Sequence, residues 1–360
     1  MEPRPPSTAP KASAAVGAME RGTYYTEHSA PQAAYGALGI EWLEEAARAV
    51  DVPADGAPVV LADLGAAGGG DSLQPMRRAI AAHREQHPGE AALVVHTDIP
   101  TNDFTALFTL VESSSDSYLR DPGTFAMAAG RSFYERLFPD RYLSLGWCSI
   151  AVHWLSRVPE PIPDHIYSSS ATGAVRDALR EQSARDWEAF LAHRGAELRP
   201  TGGLIVIGGA ALEDGSSGAE GLMAMADGVL RELVDAGELR DDERRRMTIP
   251  TWNRTTEEFL APFRSGAAAG LVLRRHAFRT LEDPYLAAFH DDGDLVRYST
   301  AVAAFFHAAF EPSLWAALDP DRDRDAVARR FDRELRAAIA ADPERAACGW
   351  HVLVMDIARS

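Results

Sequence analysis

The feature that most constrains this chain is a glycine-rich turn that follows a short apolar run. Residues 59–64 are β-branched or apolar, and the turn Gly65-Ala-Ala-Gly-Gly-Gly-Asp71 comes directly after them. Residues 72–85 then have the pattern of a helix, which predicts a strand, a turn and a helix in succession. Because glycines in such a turn let the backbone approach a ligand closely, we expect a binding site here.

An acidic residue at the end of the next apolar run indicates what that ligand is. Asp98 follows the run 93–97, where a carboxylate can accept hydrogen bonds from both hydroxyls of a ribose. The glycine spacing is not GxGxxG, and Asp98 lies farther along than the about 20 residues typical of dinucleotide-binding folds. The pattern favours S-adenosylmethionine over a nicotinamide cofactor. A flexible turn with Asp98 as a helix cap is the alternative interpretation.

The remaining apolar runs indicate the fold class. They alternate with helical stretches, and they cover residues 93–96, 142–150, 204–207, 271–273 and 351–357. This alternation is typical of an α/β protein, so we predict a mostly parallel sheet. Residues 158–200, which include a predicted helix at 174–194, and residues 285–318 exceed what single crossovers require, and we assign them to a helical cap.

The same pattern predicts how the chain is divided. Residues 1–18 are rich in Pro, Ala and Ser and predict a disordered tail. We expect the core at 19–212, with a cap helix near 160–195, and the helical cap at 213–324, with one returning strand near 270–276. A helix and a strand at 325–360 are expected to complete the core.

Composition excludes several classes of partner. The chain has 53 acidic and 36 basic residues among 360, a formal net charge of −17, which disfavours binding to nucleic acid. Its longest apolar runs are far shorter than the ~20 residues that span a bilayer, so we expect no membrane partner. Two cysteines, Cys148 and Cys348, without metal-ligand spacing predict a cytoplasmic protein with no bound metal.

Five blocks of sequence carry a family resemblance. They are Tyr25-Thr-Glu-His-Ser29-Ala-Pro-Gln32, Ala62-Asp63-Leu64-Gly65, Thr97-Asp98-Ile99-Pro-Thr-Asn-Asp-Phe104, Gly130-Arg-Ser132-Phe133-Tyr134-Glu-Arg-Leu-Phe-Pro139 and Cys148-Ser149-Ile-Ala-Val-His153-Trp154. Taken in this order, they resemble the SABATH family of carboxyl methyltransferases, which includes the salicylic, benzoic and jasmonic acid methyltransferases. The resemblance implies a Rossmann-like class I methyltransferase sheet, a mainly α-helical cap over the acceptor pocket, a small carboxylic acid as substrate and a homodimer.

The resemblance also implies which residues bind S-adenosylmethionine. They are Tyr25, Ser29, Asp63, Gly65, Ala66, Asp71, Asp98, Ile99, Ser132, Phe133 and Ser149. Asp98 and Ile99 would contact ribose and adenine, and Ser132 and Phe133 would hold the adenine. Ala66 and Asp71 depart from the cysteine and asparagine that are usual in the family, so contacts with the cofactor are altered there.

The chemistry of ester formation narrows the catalytic residues. A carboxylic acid has a pKa near ~4, so its oxygen is a nucleophile at neutral pH and requires no general base. The enzyme must instead orient the carboxylate toward the methyl group, an effect that can reach roughly 7–11 kcal/mol. Gln32 and Trp154 offer neutral N–H donors for this purpose, and His153 is a further candidate for substrate contact.

The acceptor itself is less constrained by the sequence. Family members that methylate aromatic acids usually have a tryptophan where this chain has Ala219 and Glu220. If Glu220 faces the pocket, an acceptor with an amine or a hydroxyl is indicated. The aromatic residues of the C-terminal half would supply either apolar walls of the pocket or the core of the cap: Phe305, Phe306, Phe310, Trp315 and Trp350.

Three other functions are compatible with parts of the pattern. The same fold could methylate a nitrogen of a small heterocycle, but Gln32 and Trp154 argue for a carboxylate. A non-catalytic protein that binds S-adenosylmethionine or S-adenosylhomocysteine is suggested by Ala66 and Asp71. An NAD-linked oxidoreductase is supported only by the glycine-rich turn.

Overall fold

The computed structural model describes residues 30–53, 56–268 and 270–360, with side chains from Ala34 onward. The predicted tail at 1–18 therefore lies outside the described residues, as do Tyr25 and Ser29.

The described residues form an eight-stranded sheet. Its strands are β1 (Val59–Leu64), β2 (Ala92–Asp98), β3 (Thr124–Gly130), β4 (Leu143–Ser149), β5 (Leu198–Ala211), β6 (Arg254–Thr255), β7 (Leu271–Thr280) and β8 (His351–Arg359). Their order is β3-β2-β1-β4-β5-β8-β7, and the short β6 pairs with the end of β5. Only β8 runs antiparallel to its neighbours, β5 and β7, so the carboxyl ends of β1, β2, β4 and β5 meet at one edge.

Twelve α-helices occur in the described part of the chain. They are α1 (Ala30–Ala37), α2 (Ile40–Arg48), α3 (Leu73–Gln86), α4 (Phe104–Ser113), α5 (Gly173–Glu197), α6 (Glu220–Asp235), α7 (Asp241–Arg246), α8 (Thr256–Ser265), α9 (Pro284–Asp292), α10 (Leu295–Ala309), α11 (Glu311–Trp315) and α12 (Arg324–Ala341). The chain is therefore α/β with a mostly parallel sheet, as its sequence predicts.

The sheet buries a different apolar layer on each face, because successive residues of a strand point to opposite sides. On β5, Ile205 and Ile207 pack into the layer that contains Trp154 and the helices α6 and α10. Leu204 and Val206 pack into the other layer, with α5 and α8. Helices α6 and α10 of the predicted cap thus lie on the same face of the sheet as Trp154, whereas α5, which the sequence also assigns to the cap, packs on the opposite face.

The structure adds two strands that the apolar runs do not predict, the two-residue β6 and the longer β3. Strand β3 is rich in alanine and lies at the edge of the sheet, where Phe125 and Met127 are each 56% exposed. Because only one neighbour and one covered face constrain an edge strand, its sequence carries a weaker periodic signal. The opposite case is β5, of which only residues 204–207 were predicted although the strand covers Leu198–Ala211.

Two glycines of α6 provide a matched test of how this helix docks. A Cβ at Gly221 would lie 1.9 Å from the carbonyl oxygen of Arg345, whereas a Cβ at Gly228 would meet nothing within 4 Å. We expect Gly228→Ala to raise the free energy of unfolding by up to about 1 kcal/mol, through helix propensity. Gly221→Ala should lower it by about 1–3 kcal/mol, through overpacking. Urea denaturation measures both, and equal effects would contradict the docking of α6 on residues 342–350.

Candidate active site

The glycine-rich turn is pressed against the rest of the site. Gly65 has φ +88°, and a Cβ at this position would lie 2.6 Å from Ala151 Cβ and 3.4 Å from Phe133 Cε1. The backbone N–H groups of Gly65 and Ala66 both donate to the carbonyl of Thr97, at 2.9 and 3.0 Å. The turn therefore has no room for a side chain at residue 65, and it is held against the end of β2.

Asp98 is fixed beside this turn by backbone donors. Its Oδ2 accepts from the N–H of Ala67 at 2.8 Å, and its Oδ1 accepts from the N–H of Ile99 at 2.7 Å. The side chain of Asn102 completes the contact by donating to the carbonyl of Ala67 at 2.9 Å. Burial raises the pKa of Asp98 to about 6. Each carboxylate oxygen retains a lone pair, which suits the hydroxyls of a ribose.

Asp63 ties the turn to the neighbouring strand. Its Oδ2 accepts from the hydroxyl of Ser72 and lies 2.8 Å from Nδ1 of His96, whose Nε2 lies 2.6 Å from the hydroxyl of Tyr118. Asp63 is 3% exposed. This carboxylate is thus engaged within the protein, and its direct contact with the cofactor remains a prediction.

A buried ion pair holds the loop that follows β3. Arg194 donates to both carboxylate oxygens of Glu197, at 2.7 and 2.8 Å, and to the carbonyls of Phe133 and Glu135, at 2.7 and 2.9 Å. Oε1 of Glu197 accepts in turn from the backbone N–H groups at 137 and 138. The loop that contains Ser132 and Phe133 is therefore held through its backbone by Arg194 and Glu197, and the Phe133 ring lies against Gly65.

The turn after β4 carries His153 and Trp154, and its backbone is fixed at two carbonyls. The hydroxyl of Tyr134 lies 3.0 Å from the carbonyl of Val152 and 2.6 Å from that of Trp154. Arg254 also donates to the carbonyl of Val152, at 2.6 Å. Trp154 is 8% exposed, and its indole N–H has no acceptor among the described residues. This N–H is available to a ligand.

The surroundings of His153, above all its burial, keep its ring neutral. Burial, reinforced by the positive charge of Arg254, lowers the pKa of His153 to about 3. Nδ1 of His153 has no hydrogen-bond partner in the described part of the protein. Arg254 is buried over the rings of Trp187 and Phe259 and has no ion-pair partner among the described residues.

Helix α1 passes over the end of β4. A Cβ at Gly36 would lie 3.4 Å from the hydroxyl oxygen of Ser149, and the hydroxyl of Tyr35 donates to the carbonyl of Trp350 at 3.1 Å. Gln32 lies on this helix, one turn before Gly36, and its side chain is outside the described residues.

Contacts between neighbouring residues form a closed circuit on the cap side of the sheet, which we call the Trp154 circuit. Aromatic rings form one half, with centroids 5.7–6.2 Å apart: His153, Trp154, Phe310 and Trp350. Polar groups form the other half: Asn253, Tyr167 and Ser217. Gly209 lies beside both His153 and Asn253, and Gly218, which follows Ser217, lies beside the backbone of Trp350. The Trp154 circuit thus combines aromatic rings with hydrogen-bonding side chains.

The aromatic residues predicted as pocket walls or cap core have different packing partners in the structure. Phe310 and Trp350 belong to the Trp154 circuit, and Phe305 packs on both of them. Phe306 packs against both Phe310 and Phe331 of α12, and Trp315 packs against Phe331 in the core of the cap.

Glu220 is engaged by its own helix terminus. Its carboxylate accepts from the N–H and hydroxyl of Ser217, at 2.7 and 2.8 Å, and from the N–H of Gly218 at 3.0 Å. These bonds close the turn before α6, so Glu220 reaches the Trp154 circuit only through Ser217. The interpretation in which Glu220 itself contacts the acceptor has no support in this arrangement.

The remaining cofactor candidates lie around the same edge. Ile99 follows Asp98, Ala66 is buried in the turn, and Asp71 lies in the 3₁₀ turn Gly70–Ser72. The hydroxyl of Ser132 accepts from the N–H of Tyr134 at 3.3 Å. The structure thus brings the described candidates to one edge of the sheet.

Several residues of the site carry no sequence signal of their own. Tyr134 lies inside a matched block, but its bond to Trp154 crosses 20 residues. Tyr167, Arg194, Asn253 and Arg254 lie outside the five blocks. The Ile-Pro pair at 249–250, which precedes Asn253, is the signal that could have drawn attention to this segment.

The described residues contain no group of three or more His, Cys, Asp or Glu side chains arranged to hold a metal ion. Among the helices described, none combines the length and apolar character needed to cross a membrane.

The fold and this edge define a class of protein. The sheet order, with a glycine turn after β1 and a carboxylate at the end of β2, is a fold shared with a solved methyltransferase. A solved loganic acid methyltransferase with SAH (S-adenosylhomocysteine) superimposes with a TM-score of 0.74 and 21% identity, over 95% of this chain and 99% of the other.

The sequence comparisons identify the family. Residues 15–355 match the family described as SAM dependent carboxyl methyltransferase, so the chain belongs to this family and is a carboxyl methyltransferase, as its five blocks predict. Gibberellic acid methyltransferase 1 of Arabidopsis thaliana is 26% identical over 74% of this chain and 73% of its own length. Anthranilate O-methyltransferase 3 of Zea mays is 28% identical over 75% of this chain and 78% of its own length.

The raised pKa of Asp98 predicts how cofactor affinity depends on pH. The ionised carboxylate is the form that accepts hydrogen bonds, and the free protein binds a proton there below about pH 6. We therefore expect the Kd of S-adenosylhomocysteine to rise as pH falls from 7 to 5, by up to about tenfold per pH unit below the pKa. The amino and carboxyl groups of this ligand do not titrate in that range.

Isothermal titration calorimetry measures this dependence. Asp98→Asn should bind more weakly at pH 7 and show a flat profile between pH 5 and 7. A flat profile in the unmodified protein would show that Asp98 does not control binding.

Proposed function

We propose that this methyltransferase esterifies a small aromatic or apolar acid whose carboxylate is held by the amide of Gln32 and the indole N–H of Trp154. The observation that carries the proposal is the Trp154 indole N–H, which has no acceptor among the described residues and lies in a turn fixed at two carbonyls. The placement of Gln32 on the helix that covers Ser149 supports the second donor.

Neutral donors suit this reaction because the carboxylate must remain nucleophilic. S-adenosylmethionine supplies an electrophilic methyl group, and its transfer to a carboxylate oxygen gives the methyl ester and S-adenosylhomocysteine. Since an acid is already ionised at neutral pH, no side chain has to remove a proton. His153, neutral with a pKa of about 3, contributes substrate contact without forming an ion pair. The positive charge of Arg254 lies behind the turn and favours an anionic acceptor.

The cofactor position follows from the fit of the turn. Ala151 and Phe133 leave no room for a side chain at Gly65, so this glycine lets the turn pack beside Asp98 at the end of β2. We assign the ribose to Asp98 and the adenine to Ile99, Ser132 and Phe133. We also propose cofactor contacts for Asp63, Gly65, Ala66, Asp71 and Ser149, and the predicted contacts of Tyr25 and Ser29 lie outside the described residues.

Removing either carboxylate donor should impair turnover without impairing cofactor binding. A hydrogen bond to a charged group contributes about 1.5–3 kcal/mol, so we expect Trp154→Phe and Gln32→Leu each to lower kcat/KM about 10- to 100-fold. S-adenosylhomocysteine release with a panel of benzoic, salicylic, cinnamic, indole-acetic and terpenoid acids measures turnover, and calorimetry measures the Kd of the cofactor product.

Trp42→Phe is the matched control, because Trp42 lies on α2 under Arg275, away from the site. It should leave kcat/KM unchanged. Full activity of Trp154→Phe on every acid that the unmodified enzyme accepts would contradict the proposed role of the indole.

We further propose that segment 213–324 acts as the cap over the acceptor. Its helix α6 begins beside Ser217, and Phe310 at the end of α10 packs on Trp154. Strand β7 lies in the same segment and belongs to the sheet. A cytoplasmic location is proposed from the two cysteines, which are both free and buried.

We propose a homodimer that uses the edge strand β3. Phe125 and Met127 lie on this strand, each more than half exposed. Exposed apolar side chains on an unpaired edge favour association with another chain. Size-exclusion chromatography with light scattering should give twice the chain mass, and Phe125→Asp combined with Met127→Asp should give the single chain mass.

Val296→Asp is the control for this test, because Val296 is 76% exposed on α10, far from β3 in the chain. It should leave the mass unchanged. A monomeric unmodified protein would exclude the dimer.

A further inference from the structure

A chain of hydrogen bonds runs from the start of α6 to the side chain of Asn253. Nδ2 of Asn253 donates to the hydroxyl of Tyr167 at 2.7 Å, and this hydroxyl lies 2.9 Å from the hydroxyl of Ser217. Ser217 lies 2.8 Å from Oε1 of Glu220. All the bonds of this chain are short, and Tyr167 and Ser217 are buried.

The carboxylate at one end fixes the direction of every bond. Glu220 is ionised, since its hydrogen bonds from Ser217 hold its pKa below the usual value against the opposing effect of burial. The hydroxyl of Ser217 must therefore donate to it, and the hydroxyl of Tyr167 must donate to Ser217. Tyr167 can then only accept from Asn253, which must present its NH₂ group on that side. The amide orientation follows from this network, and Oδ1 is left as a free acceptor.

That free oxygen lies on the Trp154 side of the sheet. A Cβ at Gly209 would lie 2.5 Å from Oδ1 of Asn253 and 3.2 Å from Nδ1 of His153. On β5, Cβ positions alternate between faces, and the neighbouring Gly208 faces Phe259 and Val152 in the opposite layer. Asn253 and His153 therefore meet over the cap-side face, and no donor to Oδ1 lies among the described residues.

Asn253 can also be reached from open space. It lines a cavity of about 250 Å³, together with Ser168, Trp252 and Arg176. Asn253 therefore belongs both to the lining of this cavity and to the Trp154 circuit.

We propose that Asn253 selects acceptor acids that carry a hydroxyl or N–H group, which donates a hydrogen bond to Oδ1 of Asn253. The proposal rests on the proposed function, because it assumes that the acceptor lies in the Trp154 circuit. An oxygen that accepts but cannot donate, such as a methoxy group, leaves Oδ1 unpaired and is disfavoured. A site that hydrogen-bonds a substrate hydroxyl discriminates strongly against analogues that lack it.

The test compares matched acids with the full-length enzyme. Benzoic, cinnamic and indole-acetic acids are offered in sets that differ at one position: hydrogen, hydroxyl, amino or methoxy. For at least one ring position, we expect kcat/KM for the hydroxy or amino acid to exceed that for the methoxy and unsubstituted acids by at least about tenfold. Turnover without any such preference would overturn this inference but not the proposed function. Absence of turnover on every acid would instead overturn the proposed function.

Two variants assign the preference to Asn253. Asn253→Leu, which is similar in size, should reduce the preference to within about twofold while the Kd of S-adenosylhomocysteine stays within about threefold. Tyr167→Phe frees the amide of Asn253 to rotate and to present its NH₂ group to the acceptor. The kcat/KM for acids with a methoxy group should therefore rise relative to that for hydroxy acids. If Asn253 had a purely structural role, its replacement would lower kcat/KM for all acids by the same factor. An unchanged preference in either folded variant would overturn the proposal.

Discussion

The arrangement of this site depends on one buried ion pair, Arg194 with Glu197. The two side chains satisfy each other and also bind four backbone groups of the loop after β3. Removal of one partner from a buried pair typically costs about 3–5 kcal/mol, because the other charge is left buried without a partner. The loop fixed in this way carries Phe133 against the cofactor turn and Tyr134 against the Trp154 carbonyl. One pair therefore sets the relative positions of the cofactor and acceptor sides.

Local electrostatics in the site differ from those of the whole surface. The chain has a formal net charge of −17, which repels an acid at a distance. Salt screens exposed charges beyond a Debye length of about 8 Å, whereas buried charges are screened much less. Behind the acceptor turn lies Arg254, a buried cation without an ion-pair partner among the described residues, next to a neutral His153. In the proposed function, the acceptor carboxylate therefore lies near a positive charge and neutral donors.

The glycine turn and the carboxylate after β2 could be predicted because their signals are local. β1 occupies the residues predicted for it, and Asp98 lies at the end of β2 beside the turn. The edge strand β3 was not predicted, because its half-exposed alanines do not alternate clearly between apolar and polar positions. The sequence left open whether Glu220 faces the acceptor, and in the structure its carboxylate accepts hydrogen bonds from Ser217 and Gly218, three and two residues before it.

The sequence by itself determined the α/β class, the cofactor turn, the family and the ionised acceptor that needs no base, because each depends on short motifs or on the chemistry of single groups. Tertiary structure alone decided which groups face the acceptor. Tyr167 meets Asn253 across 86 residues, and Arg254 meets Val152 across 102. Such pairs leave no periodic trace in the sequence, and the free oxygen of Asn253 exists only because a carboxylate three hydrogen bonds away orders every donor between them.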